Sequence, residues 1–192
     1  MNTLDESYWT NRYHSKTTGW DIGYTGPLGN ILNNLEDKNS VILIPGAGNG
    51  YEADYALSLG IANIHVLDFS APPLENLKKR LSKLKLENIH CTDFFGHEGT
   101  YDIILEQTFF CALNPKLREQ YMTKIHSLLK PNGILTGVMF DHALDTGPPF
   151  GGSLKEYEKL FSPKFDIEIM ERCKFSIPAR AEKELYVKFR KK

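Results

Sequence analysis

The chain has no apolar run near the roughly twenty residues that a membrane-spanning helix requires, so no membrane partner is expected. Cysteine is scarce: Cys91, Cys111 and Cys173 make an odd number with no paired spacing. That argues against a disulfide framework and points to reduced thiols in a cytoplasmic protein. The six histidines are scattered without metal-ligand spacing, and no metal site is expected. No excess of positive charge exists to hold a polyanion, because 23 Lys and Arg face 24 Asp and Glu. Nucleic acid is therefore not an expected partner, and the basic residues Lys188, Arg190, Lys191 and Lys192 read as solvated chain. The first residues are polar and acidic, unlike a signal peptide. Internal repeats, low-complexity stretches and linkers are also missing. With 192 residues, the expectation is a single domain, 1–192, able to bury a proper core.

What is present begins at Val41-Ile42-Leu43-Ile44-Pro45, a short apolar run that stops in Gly46-Ala47-Gly48-Asn49-Gly50 and is followed by a helical pattern. Glycine has no Cβ, so a strand-to-helix turn of this kind lets backbone N–H groups come close to a ligand. A second apolar run, Ile64-His65-Val66-Leu67, ends in Asp68. A carboxylate there can accept from both ribose hydroxyls of a nucleotide-like cofactor. The same residues also fit a plain tight turn and a helix-capping aspartate.

From residue 41 onward apolar runs alternate with helical patterns, which predicts a mostly parallel sheet with crossover helices over 41–192. Residues 51–59 read as a helix closed by Gly60. Leu74, Leu77, Leu81 and Leu84 recur at helical spacing behind Pro72 and Pro73. Strands are expected at 88–91 and 101–105, the latter ending at Glu106. Asn114 and Pro115 start a helix with Leu117, Tyr121, Ile125 and Leu128 on its buried stripe. Pro131-Asn132-Gly133 should break it ahead of a central strand, 134–140. Ser153 and Glu156 form a capping box for a short helix, and strands near 165–170 and 184–190 close the order. Asp102 and Asp145 read as surface groups.

Ligands of open α/β sheets bind outside the carboxyl ends of the strands. Those ends carry Gly46 to Gly50, Asp68 to Ser70, Asp93 with Phe94, Glu106 with Gln107, and Asp141 with His142. The set is rich in acids and aromatics and poor in lysine and arginine. A pyrophosphate would want the opposite balance, whereas a nucleoside carrying a cationic sulfonium suits it.

The segments Ile44 to Gly50, Leu67-Asp68-Phe69-Ser70 and Thr92-Asp93-Phe94-Phe95 resemble a class I S-adenosylmethionine-dependent methyltransferase. Glu106-Gln107-Thr108-Phe109-Phe110-Cys111-Ala112-Leu113, with Arg118 beyond, is similar to the thiopurine methyltransferase superfamily, and within it to the halide and thiol methyltransferases. Tyr8-Trp9 with Tyr13, Gly19-Trp20-Asp21, Asp141-His142, Gly147-Pro148-Pro149-Phe150 and Ser176-Ile177-Pro178-Ala179-Arg180 match that branch too. The resemblance covers nearly the whole chain. It implies a Rossmann-like, seven-stranded fold, S-adenosyl-L-methionine as cofactor and a small-molecule methyl acceptor; separately, a monomer is expected.

Carried over by motif, the resemblance puts Gly46 beneath the methionine part of the cofactor, with Gly48 in the same turn. Asp68, with Phe69 beside it, would hold the ribose, and Asp93 with Phe94 the adenine. Glu106 would face the methionine ammonium. Trp9, Tyr13 and Trp20 would come from an amino-terminal lid, residues 1–24, folding over the site. There are departures: Ala47 stands where cysteine is frequent, and Tyr13 where plant members tend to have tryptophan. Glu106 and Gln107 stand where those members often have aspartate followed by an aromatic or hydrophobic residue.

Several of these residues have a second reading. Trp9 and Tyr13 lie four apart on one helical face, as a packing stripe or as a cofactor cover. Of Phe109 and Phe110, one fills the core and the other walls the methyl-transfer pocket; Phe110 is assigned to the wall. Arg118 lies in a first helical turn, where the macrodipole disfavours a cation. It reads as an exposed arginine or as a group facing an anionic acceptor, with Arg180 as a second such cation. Gln107 bears on the acceptor's identity. Cys111 fits a small buried hydrophobe, and His142 a structural histidine or a base.

Methyl transfer from a sulfonium to a thiolate or halide needs no proton removed during attack. Alignment, exclusion of water and desolvation of the nucleophile do most of the work. The sequence thus points to a methyltransferase for a small soft nucleophile, with Arg118, Phe110 and Gln107 at its catalytic end. The alternatives are a nicotinamide-dependent reductase, for which no Tyr-x-x-x-Lys pair is found where expected, and a cofactor-binding protein that has lost transfer activity.

Overall fold

The computed structural model describes residues 4–144 and 146–192, so Asp145 and the first three residues of the expected lid lie outside it. Seven strands form one sheet in the order β3-β2-β1-β4-β5-β7-β6. They are β1 (Ile42–Pro45), β2 (Ile64–Asp68), β3 (Ile89–Cys91), β4 (Tyr101–Gln107), β5 (Leu129–Phe140), β6 (Phe165–Arg172) and β7 (Glu184–Lys191). The helices are α1 (Glu6–His14), α2 (Leu28–Asn33), α3 (Tyr51–Ser58), α4 (Ala71–Arg80), α5 (Arg118–Leu128) and α6 (Leu154–Phe161).

The expectation of a mostly parallel sheet needs correction. Strands β1 to β5 pair in parallel, but β7 is antiparallel to both β5 and β6, so the sheet is mixed. A parallel return needs a crossover element, usually a helix. Residues 173–183 hold only a single 3-10 turn, Pro178–Arg180, so the chain comes back antiparallel.

The sheet has two covered faces because its central strands are apolar on both sides. In β1, Ile42 and Ile44 pack with Leu28, Ala53, Leu74 and Leu77 from α2, α3 and α4. Leu43, between them, points into the opposite cluster with Tyr121, Ile125, Tyr157 and Phe161 from α5 and α6. A fully buried side chain such as Leu77 is worth about 1.5–3 kcal/mol of transfer free energy.

Four local expectations shift. Helix α4 stops at Arg80, so Leu81 and Leu84 are buried in the turns that follow it. Asn114 accepts from Lys116 N at 3.0 Å but caps a 3-10 turn, Pro115–Leu117, ahead of α5. Pro131-Asn132-Gly133 sits inside β5 as an irregularity: Leu129 pairs with Tyr101, and the ladder resumes only at Ile134 opposite Ile103. Asn132, with φ +62°, makes that excursion possible. At α6, Ser153 Oγ accepts from Glu156 N, but the Glu156 carboxylate is drawn to Arg118.

Candidate active site

Where β1 ends, the chain turns left-handed at Gly46 (φ +60°) and Gly48 (φ +52°). A Cβ on Gly46 would lie 2.3 Å from the Phe109 ring, and one on Gly48 would lie 2.6 Å from the Tyr13 hydroxyl. Both positions therefore need glycine for backbone conformation and for clearance. The turn is tied to β2 by Ala47 N donating to Leu67 O at 3.0 Å. Asp68, at the end of β2 and 7% exposed, accepts from Gly48 N at 2.9 Å and from Ser70 N at 2.8 Å. Burial raises its pKa, and the backbone donors oppose that shift. Each carboxylate oxygen has about two lone-pair sites, so Asp68 can accept further hydrogen bonds.

These groups open onto a cavity of about 1050 Å³ at the carboxyl ends of the strands. Helix α1 supplies one wall, because Asp5, Tyr8, Trp9, Arg12 and Tyr13 share a face of it. Trp20 meets Trp9 edge-on at 5.2 Å and Tyr13 at 5.8 Å between ring centroids. Phe94 and Phe109, which pack at 5.1 Å between ring centroids, line the cavity too, as do Phe140 and Phe150. The room suits a ligand of cofactor size with a small partner. Glycines that leave backbone bare, a buried carboxylate and aromatic faces that attract cations fit a nucleoside with a positively charged centre.

The structure brings Trp9, Tyr13, Trp20, Gly46, Asp68, Phe69, Asp93 and Phe94 together around this one cavity. Asp93 also accepts from Gly96 N at 3.1 Å, which fixes the turn after β3. Gly48 and Gln107 line a smaller cavity next to it. The other sequence-derived roles are corrected. Glu106 is 0% exposed: its Oε1 accepts from the Phe109 and Phe110 N–H groups at 2.9 and 2.8 Å, and its Oε2 from Tyr121 at 2.6 Å. Burial pushes its pKa up to about 7, against those donors, and the carboxylate organises the turn after β4 without facing the large cavity.

Phe110, 1% exposed, is the core member of its pair and packs on Tyr121, Tyr157 and Phe161; Phe109 takes the wall. Arg118 is 7% exposed and does not line the cavity. One guanidinium nitrogen bonds Glu156, another Gly151 O at 2.6 Å, and the group lies 4.9 Å over the Phe110 ring. Its charge is committed to tying α5 to α6 and to the 147–152 segment.

Arg180 does reach the cavity, donating to Trp20 O at 3.1 Å, while its Nη1 is enclosed, 3.7 Å from Glu184 and too far to hydrogen-bond it. Arg12 and Arg180 are the only cations among the described lining residues, and no histidine or lysine is among them. Cys111 is a lining residue whose thiol donates to Thr108 O at 3.3 Å. Burial, then the Glu106 charge, pushes it up to about 12, which keeps it a thiol. Arg12 was missed in the sequence, although its spacing from Trp9 and Tyr8 places it on the same helical face.

A model of the family Thiopurine S-methyltransferase (TPMT) matches residues 4–190. The probable thiol methyltransferase 2 of Arabidopsis thaliana is 32% identical over 172 residues, 85% of this chain and 75% of its own length. The thiocyanate methyltransferase 1 of Brassica oleracea is 29% identical over 98% of this chain and 87% of its own. A solved structure, the Burkholderia thailandensis 1,6-didemethyltoxoflavin-N1-methyltransferase with its acceptor and S-adenosylhomocysteine bound, superposes with a TM-score of 0.77 at 21% identity. It covers 98% of this chain and 87% of that one, and the likeness is one of fold. The chain belongs to the thiopurine S-methyltransferase family, near its thiol methyltransferase branch.

Proposed function

We propose that the protein is an S-adenosyl-L-methionine-dependent methyltransferase acting on a small soft nucleophile. A thiol is the first choice of acceptor, with hydrosulfide, halide and thiopurine-like heterocycles next. One observation carries this reading: a single cavity joins the glycine turn and Asp68 to an aromatic chamber that contains no histidine or lysine among its described lining residues. The names of the relatives, thiol and thiocyanate methyltransferases, support the same class.

Bound there, the cofactor supplies an electrophilic methyl group on a sulfonium. Gly46 and Gly48 leave backbone open to it, Asp68 accepts from the ribose, and Asp93 with Phe94 flanks the adenine. Trp9, Tyr13 and Trp20 cover it as part of a lid formed by residues 1–24. Their ring faces, with that of Phe109, favour positive charge. Phe140, Phe150 and Phe109 keep water from the acceptor, which raises the reactivity of a desolvated nucleophile. An unperturbed thiol, with a pKa of about 8.5, is mostly protonated at pH 7. Arg180, rather than Arg118, is the cation placed to favour its thiolate, so no strong general base is required.

The test is incubation of the protein with methyl-labelled cofactor and matched small thiols, alcohols and amines, followed by product analysis. Thiols or hydrosulfide should be methylated fastest at neutral pH. A hydroxyl or amine acceptor that is faster by a wide margin refutes the soft-nucleophile assignment.

A further inference from the structure

With Glu106 turned into the core, the ammonium of a cofactor's methionine part lacks the carboxylate that the sequence assigned to it. The smaller cavity offers another. It has a volume of about 50 Å³ and shares Tyr13, Trp20, Gly46 and Thr108 with the large one, so the two meet at the glycine turn. That room suits a charged head group and not a nucleoside, since on the same measure a single water takes about 10–15 Å³. Its polar lining includes Glu52, from the first turn of α3, together with Asp21 and Gln107. No lysine, arginine or histidine is among its described lining residues.

Glu52 is 8% exposed, and its Oε1 accepts from Gln107 Nε2 at 3.1 Å. The other end of that amide, Gln107 Oε1, is enclosed and has no hydrogen-bond partner. Asp21 accepts from Gly23 N at 2.9 Å and from Asn49 at 2.5 Å. The site thus combines two carboxylates with an unused amide oxygen, and nothing in its lining balances them. An enclosed acceptor without a donor has given up its hydration and received nothing in return. A small cation carrying several N–H donors would satisfy both the charge and the orphan oxygen.

We propose that Glu52, with Gln107 Oε1 and Asp21 beside it, receives the α-ammonium group of S-adenosylmethionine. The assignment rests on the reading of the chain as a methyltransferase that binds this cofactor. It accounts for a buried acid whose hydrogen bonds come from the Gln107 amide and its own backbone and from no cation, and it gives Gln107 a role at the cofactor's end of the cavity rather than the acceptor's. Burial holds the Glu52 carboxyl up at about 7, with Asp21 adding to the shift and Arg80 opposing it. Arg80 itself is engaged by Asp54 and the Asn49 carbonyl and stands over the Tyr51 ring. Pairing with an ammonium favours the ionised form, so binding should release a proton near neutrality.

The experiment is calorimetry of the full chain with two probes: S-adenosylhomocysteine and 5′-methylthioadenosine, which lacks the amino-acid part. Wild-type protein should bind S-adenosylhomocysteine more tightly, with affinity rising from pH 6 to 8, while methylthioadenosine binding stays flat. Glu52→Gln should weaken S-adenosylhomocysteine tenfold or more, abolish its pH dependence and leave methylthioadenosine within twofold. Equal losses for both probes, or no loss for either, overturn the assignment. So does a wild-type protein that binds both probes equally well. Wild-type protein that binds neither overturns the methyltransferase reading itself. If Glu52→Gln does not fold, the pH dependence of the two probes on wild-type protein decides alone.

Discussion

Replacing Asp68 with asparagine keeps the shape of the side chain and removes its charge, which makes two effects separable. In the free protein the two carboxylate oxygens accept from Gly48 N at 2.9 Å and Ser70 N at 2.8 Å. Asparagine presents an NH2 to one of those donors, so one buried N–H loses its acceptor, at a cost of about 1–3 kcal/mol in stability. In the complex, the ribose hydroxyls lose a charged acceptor, worth about 1.5–3 kcal/mol, or roughly a ten- to 150-fold rise in Kd. Urea unfolding measures the first effect and calorimetry with S-adenosylhomocysteine the second. Linkage provides a cross-check: ligand at 100 times the wild-type Kd stabilises the wild type by about 2.7 kcal/mol, but a variant with tenfold weaker binding by only about 1.4 kcal/mol. A folded Asp68→Asn variant whose affinity stays within twofold of wild type refutes the placement of Asp68 against the ribose.

Three further outcomes are expected. Arg118→Ala should lower stability by about 1–3 kcal/mol, through the lost ties to Glu156 and Gly151, and leave S-adenosylhomocysteine affinity within twofold; a normal urea midpoint with selective loss of turnover on anionic acceptors would restore its acceptor-facing role. Burial, then the neighbouring His90, Lys124 and His65, holds His97 down at about 4 against 6.5 for an ordinary histidine. Its neutral form is the native one, so the stability it contributes is present above pH 6.5 and lost as pH falls from 6.5 to 4. His97→Gln should flatten that limb in urea titrations across pH, and an unchanged limb contradicts the linkage. Cofactor should protect residues 4–24 from proteolysis and change the emission of Trp9 and Trp20; a chain lacking this segment should fold but transfer methyl groups poorly, and full turnover without it would rule out the lid.

The alternation of short apolar runs with helical patterns made the first five strands and their crossover helices legible in the sequence. Alternation says nothing about direction, however. The reversal at β7 depends on whether residues 173–183 hold a crossover, and a segment with Pro178 and a single 3-10 turn does not advertise the answer. The leucine spacing overran α4 for a related reason: Leu81 and Leu84 are buried by the turns that follow Arg80, and burial is all that periodicity reports. At the site, residues whose position follows from backbone geometry were accessible. Glycines at a strand end, an acid closing the next strand and aromatics on one face of α1 meet at one cavity because the topology leaves them there.

Side chains whose role depends on rotamer and neighbours were not accessible in that way. Glu106 and Gln107 are adjacent in β4 and so point to opposite faces of the sheet. Sequence places both at the strand's carboxyl end and cannot say which face the cofactor uses. The structure sends Glu106 toward Tyr121 on the α5 side and Gln107 toward Glu52 on the α3 side, where the glycine turn lies. Phe109 and Phe110 lie beyond the strand, at the start of a 3-10 turn, and there the two N–H groups held by Glu106 fix the turn and leave only one ring facing the cavity. The buried Glu106 thus acts on the site indirectly. Three donors converge on one carboxylate, and the two from the backbone set the path of the turn after β4 and so hold Phe109 against Gly46.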